Sequence, residues 1–412
     1  SVNFEIPKLA FSDSLKRHMS LIEKVVTDPH WNKTELIREF AVNWSMICET
    51  LDLDFICATT RTDIQPLQVK SEIIGQKSSF KGSTIGLSDD ASKLGKFSYI
   101  KQQFEEGKRR QSGAGLIIPL GDLSAPPKSS IEAVEWYLSA LNILSDEKKK
   151  AISDKLNGIR EKTFWLVFNG NSGTGTTWFG LKLDTKSRKF LPLNRATIVS
   201  WKVKPIRVRV FSPESMLPRG GANDSLMDKR VLLVGCGAVG GELAFKLGSS
   251  GIGECHLSDP DIYSWDNVYR HVLPSVYVGH SKSFSLALEL QQKYPWLKTE
   301  YSKKDLLDYR DEEVLNAYDL IVIAIGSPTH ERIFANYLSS ISAKPTIINT
   351  WLEGYGVGGH ATLSSPDKKG CLLCAFVDNN TFSRGLASNL SFIEPNQNLT
   401  TNIAGCGDLF LP

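Results

Sequence analysis

Apolar residues recur at helical spacing over the first part of the chain, in short strand-like runs after that, and in regular strand–helix alternation over the last part. Helical stretches are predicted around Ser14 to Val26 and from Glu35 to Leu51, with Thr34 as N-cap of the second and Leu36, Phe40, Trp44 and Ile47 on one packed face. Residues 61–130 hold Ser, Gly, Lys and Pro with weak periodicity, and only Gly115 to Leu120 reads as a strand. A helical stretch follows from Ser130 to Leu156, strongly charged at Asp146 to Lys150. Phe164 to Phe168, Thr177 to Leu183 and Ile206 to Phe211 then read as strands between Gly- and Asn-rich turns. Together these elements predict a mixed helical and antiparallel-strand module. Pro218, Gly220, Gly221 and Asn223 make Leu217 to Asp224 the best boundary.

Beyond that boundary the pattern changes. Strands at Arg230 to Val234, Glu254 to Ser258, Leu320 to Ile325 and Thr346 to Asn349 alternate with helices at Val239 to Ser249 and near Ser281 to Lys293. Alternation of this kind predicts a mostly parallel sheet with helices on both faces, an α/β fold, preceded by a mixed α+β domain. The expected division is 1–216 and 217–412.

Composition narrows the classes without choosing among them. A chain of 412 residues exceeds what one core normally supports, so two domains are expected. Hydrophobic content of 41% and charged content of 23% are ordinary for a globular protein, and no apolar run is long enough to predict a transmembrane helix. A net charge of +3 argues for neither nucleic acid nor membrane as the main partner. Seven scattered cysteines suit a reducing cytoplasm better than a disulfide framework. Since the sequence opens at Ser1 and closes at Pro412 within an apolar stretch, it is expected to be part of a longer gene product.

The clearest chemistry follows the strand Val231 to Val234. Gly235, Gly237 and Gly240 form G-x-G-x-x-G between that strand and a helix. In this setting the first glycine permits the tight turn, the second lets the backbone approach phosphate, and the third allows close helix–strand packing. Asp259 ends the next predicted strand, where a ribose hydroxyl would be met. Those features alone fit a dinucleotide dehydrogenase. After Asp259, however, come Asp261, Asn267, Arg270, His271, Gly279 and Lys282. Cationic and amide side chains at these places suit a triphosphate held beside a carboxylate, for which a dehydrogenase has no need.

In this order the glycine loop, the Asp-x-Asp, the Asn-x-x-Arg and the lysine resemble the ATP site of the ThiF/MoeB/ubiquitin-activating superfamily. The resemblance covers residues 217–412 and implies a Rossmann-like adenylation domain. It places Asp259 on the ribose, Asn267, Arg270 and Lys282 on the phosphates, and Asp305 near the nucleotide; solvated surface charges are the alternative for Arg270 and Lys282, and an ordinary exposed carboxylate is the alternative for Asp305. Arg219, in Leu217-Pro218-Arg219, stands where the family carries an arginine that reaches the partner subunit's ATP; a plain linker residue is the alternative. Two departures stand out. Gly326-Ser327-Pro328 replaces the family's magnesium-binding aspartate, leaving the metal to other groups or to the phosphates, and His271 replaces its usual glutamine. Glu331 and Arg332 either supply the missing polarity or are helix-face charges.

Cys371 and Cys374 form a Cys-x-x-Cys that resembles half of the family's zinc site; a structural zinc needs four ligands, and the second pair is absent from this sequence. Two small buried cysteines are the alternative. Cys406, between Gly405 and Gly407 after the polar stretch Asp378 to Thr401, lies in a segment (378–406) resembling the crossover that carries the thioester cysteine in ubiquitin-activating relatives. A buried structural cysteine is its alternative. Cys48, Cys57, Cys236 and Cys255 are read as core.

Within the superfamily, the Arg38-Glu39-Phe40 to Trp44 helix and the Met216 to Gly220 lead-in resemble the fused activating and conjugating enzymes of bacterial CBASS anti-phage operons. The resemblance implies adenylation of a protein partner's C-terminal carboxylate by ATP with Mg2+, then capture on a cysteine. The partner would be a ubiquitin-like protein or a cGAS-like nucleotidyltransferase, served by a conjugating-enzyme domain, and the enzyme a homodimer. A sulfur-carrier adenylyltransferase of thiamin or molybdopterin biosynthesis and a non-catalytic nucleotide-binding scaffold are the rival readings.

Overall fold

The helices at the start of the chain are three rather than two. A computed structural model describes residues 5–48, 54–59, 61–72, 84–88, 99–106, 110–173, 175–353, 357–378, 383, 385, 388–392, 401–402 and 409–410. Its first compact unit is Ser1–Ser92 with Gln103–Ser212, and its second Lys93–Gln102 with Pro213–Pro412. Helices Pro7–Thr27, Pro29–Arg38 and Phe40–Ile47 open the first unit. The break falls before Pro29, and Asp28 caps the second helix by accepting the Trp31 N–H at 2.9 Å. Thr34 is therefore not the cap: it sits inside that helix, and its hydroxyl donates to the His30 carbonyl at 3.0 Å. A second break at Glu39 separates Leu36 from the packed face, so Phe40 and Trp44 are buried while Leu36 is exposed.

The strands of the first unit form one eight-stranded sheet. Its order is Lys202–Ile206, Thr176–Lys189, Glu161–Asn171, Arg110–Asp122, Gln65–Glu72, Thr84–Leu87, Phe55–Ala58 and Val208–Phe211. The expected antiparallel character holds only in part. Phe55–Ala58 pairs in parallel with both of its neighbours, and Arg110–Asp122 pairs in parallel with Glu161–Asn171. Helices Ala133–Ile143 and Asp146–Lys155 lie between the last two strands in sequence, giving the long crossover that a parallel pair requires. They divide the expected Ser130 to Leu156 helix at Ser145, whose side chain caps the second.

The expected strand Ile206 to Phe211 is also two strands, and they occupy opposite edges of the sheet. Only Arg207 separates them, so the sheet has to curl until its edges meet. Phe55, Leu67, Val69, Ile117, Trp165 and Val167 cluster on one face of the curl. On the other, Phe40, Trp44, Trp136, Phe168 and Phe179 pack with ring centroids 4.6–6.2 Å apart.

The second unit is an α/β layer structure, as the alternation predicts. The six strands of its main sheet run Lys298–Ser302, Glu254–Ser258, Arg230–Val234, Leu320–Ile323, Thr346–Leu352 and Gly359–Ser364, all parallel except the last. Val231 and Leu233 face one core, whereas Leu232 and Val234 face another. Strands buried on both faces explain why the period-two signal is absent from these runs. From Arg230–Val234 the chain first adds strands to one side and later to the other, creating a topological switch at the carboxyl ends. Among the described residues no helix is long and apolar enough to cross a membrane.

Truncating Phe40 to Ala should destabilise the first unit by ~3–5 kcal/mol, whereas Leu36→Ala should change stability by less than ~0.5 kcal/mol. Denaturant unfolding followed by tryptophan fluorescence measures both.

Candidate functional site

The crevice at the topological switch is shaped by backbone contacts that permit no side chain. Gly235 follows strand Arg230–Val234 with φ of 91°, and its N–H donates to the Ser258 carbonyl at 2.8 Å. A Cβ there would lie 2.6 Å from the Ala324 carbonyl oxygen, and one on Gly240 would lie 1.8 Å from that of Gly235. Gly237 differs: it caps helix Ala238–Ser250, and a Cβ on it would meet nothing within 4 Å. The helix N-terminus thus opens onto free space, with backbone N–H groups that lack intrahelical acceptors and a dipole favouring an anion.

Asp259 is buried, and both its oxygens hold backbone. One accepts the Cys236 N–H at 2.6 Å and the other the Asp261 N–H at 2.8 Å. Burial raises its pKa, and these two donors oppose the rise. The carboxylate therefore ties the glycine loop to the next strand, a structural task that the sequence pattern does not reveal.

His271 performs the complementary task from the other side. Its Nε2 lies 2.6 Å from the Cys236 carbonyl, and its Nδ1 accepts the Leu273 N–H at 3.1 Å. Since Nδ1 accepts, Nε2 carries the hydrogen and donates, which defines a neutral ring. Burial lowers the pKa of this ring below its ordinary 6.5, and the charges of Lys282 and Arg270 act in the same direction. One donor and one acceptor are also what a glutamine offers, which accounts physically for the exchange noted in the sequence.

The remaining predicted polar residues fall into three environments. Lys282, the first residue of helix Lys282–Lys293, is buried, and its ammonium lies 2.8 Å from the carboxylate of exposed Asp261. Arg270 is exposed and has no ion pair or side-chain hydrogen bond among the described residues. Asn267 is buried, with Oδ1 accepting from the Ser264 N–H and hydroxyl at 3.1 Å each. Asp305 caps the turn Leu306–Asp308 and lies 3.7 Å from His330 Nδ1.

The turn Ala324–Ser327 forms the wall facing the glycine loop. Glu331 is not a solvated helix charge, because only 3% of it is exposed. Its carboxylate accepts the Ser327 N–H at 3.2 Å and Asn349 Nδ2 at 3.0 Å. Burial pushes its pKa up to about 7 against those donors. Each Glu331 oxygen is thus engaged by a protein donor. Arg332 lies over the Phe376 ring at 4.6 Å.

Cys371 is half-buried and Cys374 exposed, flanking the start of the turn Leu372–Phe376. No group of three or more His, Cys, Asp or Glu is assembled for a metal among the described residues, so two thiols are all that they offer to zinc. Cys48, Cys57, Cys236 and Cys255 are buried, as expected. Cys406 and the side chain of Arg219 lie outside the described residues.

Residues 211–402 match the model of the ThiF family, so the resemblance carried by the glycine loop and the residues after it stands. The ATP-dependent ubiquitin transferase-like protein Cap2 of Vibrio cholerae serotype O1 is 30% identical over 63% of this chain and 47% of its own length. Its namesake from Escherichia coli strain TW11681 is 28% identical over 48% of this chain and 34% of its own. The chain thus spans less than half the length of either relative. A crystal structure of E. coli MccB with ATP is 26% identical over 37% of this chain and 45% of that one, with a TM-score of 0.33.

Glutamine in place of His271 should preserve the loop and remove a pH dependence. The unfolded ring titrates near its ordinary 6.5 and the folded ring lower. Between those values the unfolded chain binds the extra proton, so this contribution to stability is present above 6.5 and is lost on acidification. His271→Gln should therefore lose less melting temperature than the natural protein between about pH 7.5 and 5.5. An equal loss in both proteins would show that the ring is not the acid-sensitive group.

Proposed function

We propose that the second unit uses ATP to activate the C-terminal carboxylate of a protein partner. A carboxylate oxygen attacks the α-phosphorus of ATP, the α–β phosphoanhydride bond breaks, and pyrophosphate leaves an acyl-adenylate. A cysteine thiolate then attacks the acyl carbon and expels AMP, leaving the partner as a thioester. Cys406 is the proposed nucleophile, on a crossover spanning 378–406.

The observation that carries this reading is the positive charge beside an open helix N-terminus. Lys282 is buried at the crevice with one exposed counter-ion, Asp261, while Arg270 has no partner among the described residues. Both charges act on His271, which holds the glycine loop. A buried ammonium and an uncommitted guanidinium suit a triphosphate, whose charge is redistributed during adenylation. Asp259 and Asp261 would flank the ribose, with the backbone of Gly235, Gly237 and Gly240 beneath the phosphates. Asn267 would assist on the phosphates, Asp305 would border the nucleotide, and magnesium would enter on ATP itself.

The wider setting belongs to the same proposal. The Cap2 relatives are described as ATP-dependent and ubiquitin transferase-like, which supports a protein substrate with a C-terminal tail. We place the enzyme in the bacterial cytoplasm, in CBASS conjugation of a cGAS-like nucleotidyltransferase. Residues 1–216 would serve as an accessory domain before the adenylation domain 217–412, in a homodimer where Arg219 reaches the partner subunit's ATP. A conjugating-enzyme domain would receive the thioester.

Calorimetry should detect ATP binding and little binding of NAD; comparable affinity for NAD would end the adenylation reading. Replacing Lys282 or Arg270 with Ala should slow partner-dependent ATP–pyrophosphate exchange roughly 100-fold, the scale of a lost preorganised charge contact. Exchange at the natural rate in both variants would rule out this phosphate site. The thioester step separates from adenylation, so Cys406→Ala should retain exchange and lose the thiol-sensitive adduct with the partner. An adduct that persists there but disappears on replacing Cys371 or Cys374 would reassign the nucleophile.

A further inference from the structure

The turn Ala324–Ser327 bears directly on the glycine loop, and a buried side chain controls it. The Ala324 carbonyl lies where a Cβ on Gly235 would collide with it, and the Ala324 methyl stands 3.5 Å from the equivalent point on Gly240. Ala324 is fixed at its start, since its N–H donates to the Val234 carbonyl at 2.8 Å. The next bend is permissive: Gly326 has φ of 63°, and a Cβ there would meet nothing within 4 Å. Side-chain packing at Gly326 therefore cannot hold the bend. What does hold it is the Glu331 carboxylate, one helical turn further on, through the Ser327 N–H at 3.2 Å.

Glu331 is in turn anchored to the sheet. Asn349 donates to its second oxygen at 3.0 Å, and Asn349 pairs in register with Ile323, the last strand residue before the turn. Sheet, carboxylate and turn form a closed circuit.

From this circuit we infer that Glu331 is a positioning residue for the nucleotide, fixing the turn that confines the glycine loop in a site lacking the family's aspartate. The inference rests on the ATP site proposed above. It requires hydrogen-bond acceptance toward the turn rather than negative charge. Glutamine can supply that acceptor, and rotation of the Asn349 amide lets its oxygen receive the glutamine N–H. Leucine has similar bulk and no acceptor. Truncation to alanine would be less informative, because a cavity of about 150 Å³ already adjoins Glu331 and Asn349 and would be enlarged.

Calorimetric titration of the whole chain with ATP tests the inference, supported by KM for ATP and kcat in pyrophosphate exchange. Glu331→Leu should weaken ATP binding about tenfold and raise KM for ATP more than it lowers kcat, whereas Glu331→Gln should stay within about twofold of the natural protein. A folded Glu331→Leu protein with unchanged ATP affinity would overturn the inference. So would a Glu331→Gln protein that falls as far as the leucine variant, since charge would then be the requirement. Should Glu331→Leu fail to fold, Asn349→Val supplies the test: about threefold weaker binding supports the circuit, and unchanged binding overturns it. If the natural protein binds no ATP, the nucleotide reading itself fails and this inference falls with it.

Discussion

The site depends on the grip of Asp259 on the backbone N–H groups of Cys236 and Asp261. A glycine loop is an entropically costly piece of chain, since it lacks side chains to pack and has wide conformational freedom when unfolded. Here it is held at Cys236 from two sides, through the peptide groups before and after that residue. Asp259 takes the N–H and His271 the carbonyl region, at 2.6 Å each. With the peptide fixed, the next residue, Gly237, presents the start of a helix to open space.

That arrangement explains how a buried lysine is accommodated beside the loop. An ammonium loses hydration on burial and needs an opposing charge or hydrogen bonds. Lys282 meets the first requirement through Asp261, whose own N–H is held by Asp259. Backbone anchoring and charge placement are consequently linked through one short Asp-x-Asp segment. Glu331 presents the corresponding problem on the opposite wall: the Ser327 N–H and the Asn349 amide oppose its desolvation, yet burial still pushes its pKa up to about 7. Both ionisable groups are retained where they fix backbone or charge near the crevice.

The first unit follows a different logic. Its sheet is continuous through the strands Phe55–Ala58 and Val208–Phe211, which are far apart in sequence, and the curl is imposed by the single-residue step at Arg207. Arg207 and Arg209 both meet Asp54, at 2.9 and 3.0 Å. Partly exposed ion pairs contribute little individually, so the aromatic and aliphatic faces of the sheet hold the unit together.

For the second unit, the sequence determined strand identity almost to the residue at Arg230–Val234, a continuous apolar run buried on both faces, and at Glu254–Ser258, where polar and apolar residues alternate between turn residues. It also marked Gly235 and Gly240, whose collisions arise within a local strand–turn–helix unit. It did not disclose Lys298–Ser302 or Gly359–Ser364, edge strands whose mixed polarity lacks a buried-strand signature. Nor did it distinguish a solvated Glu331 from a buried one, or suggest Asn349 at all. Those roles depend on bringing positions 327, 331 and 349 together, and hydrogen-bond partners contributed by different elements leave no period in the chain. Local sterics and hydrophobic periodicity were legible along the sequence; which donors meet which acceptors was decided only when the sheet placed them side by side.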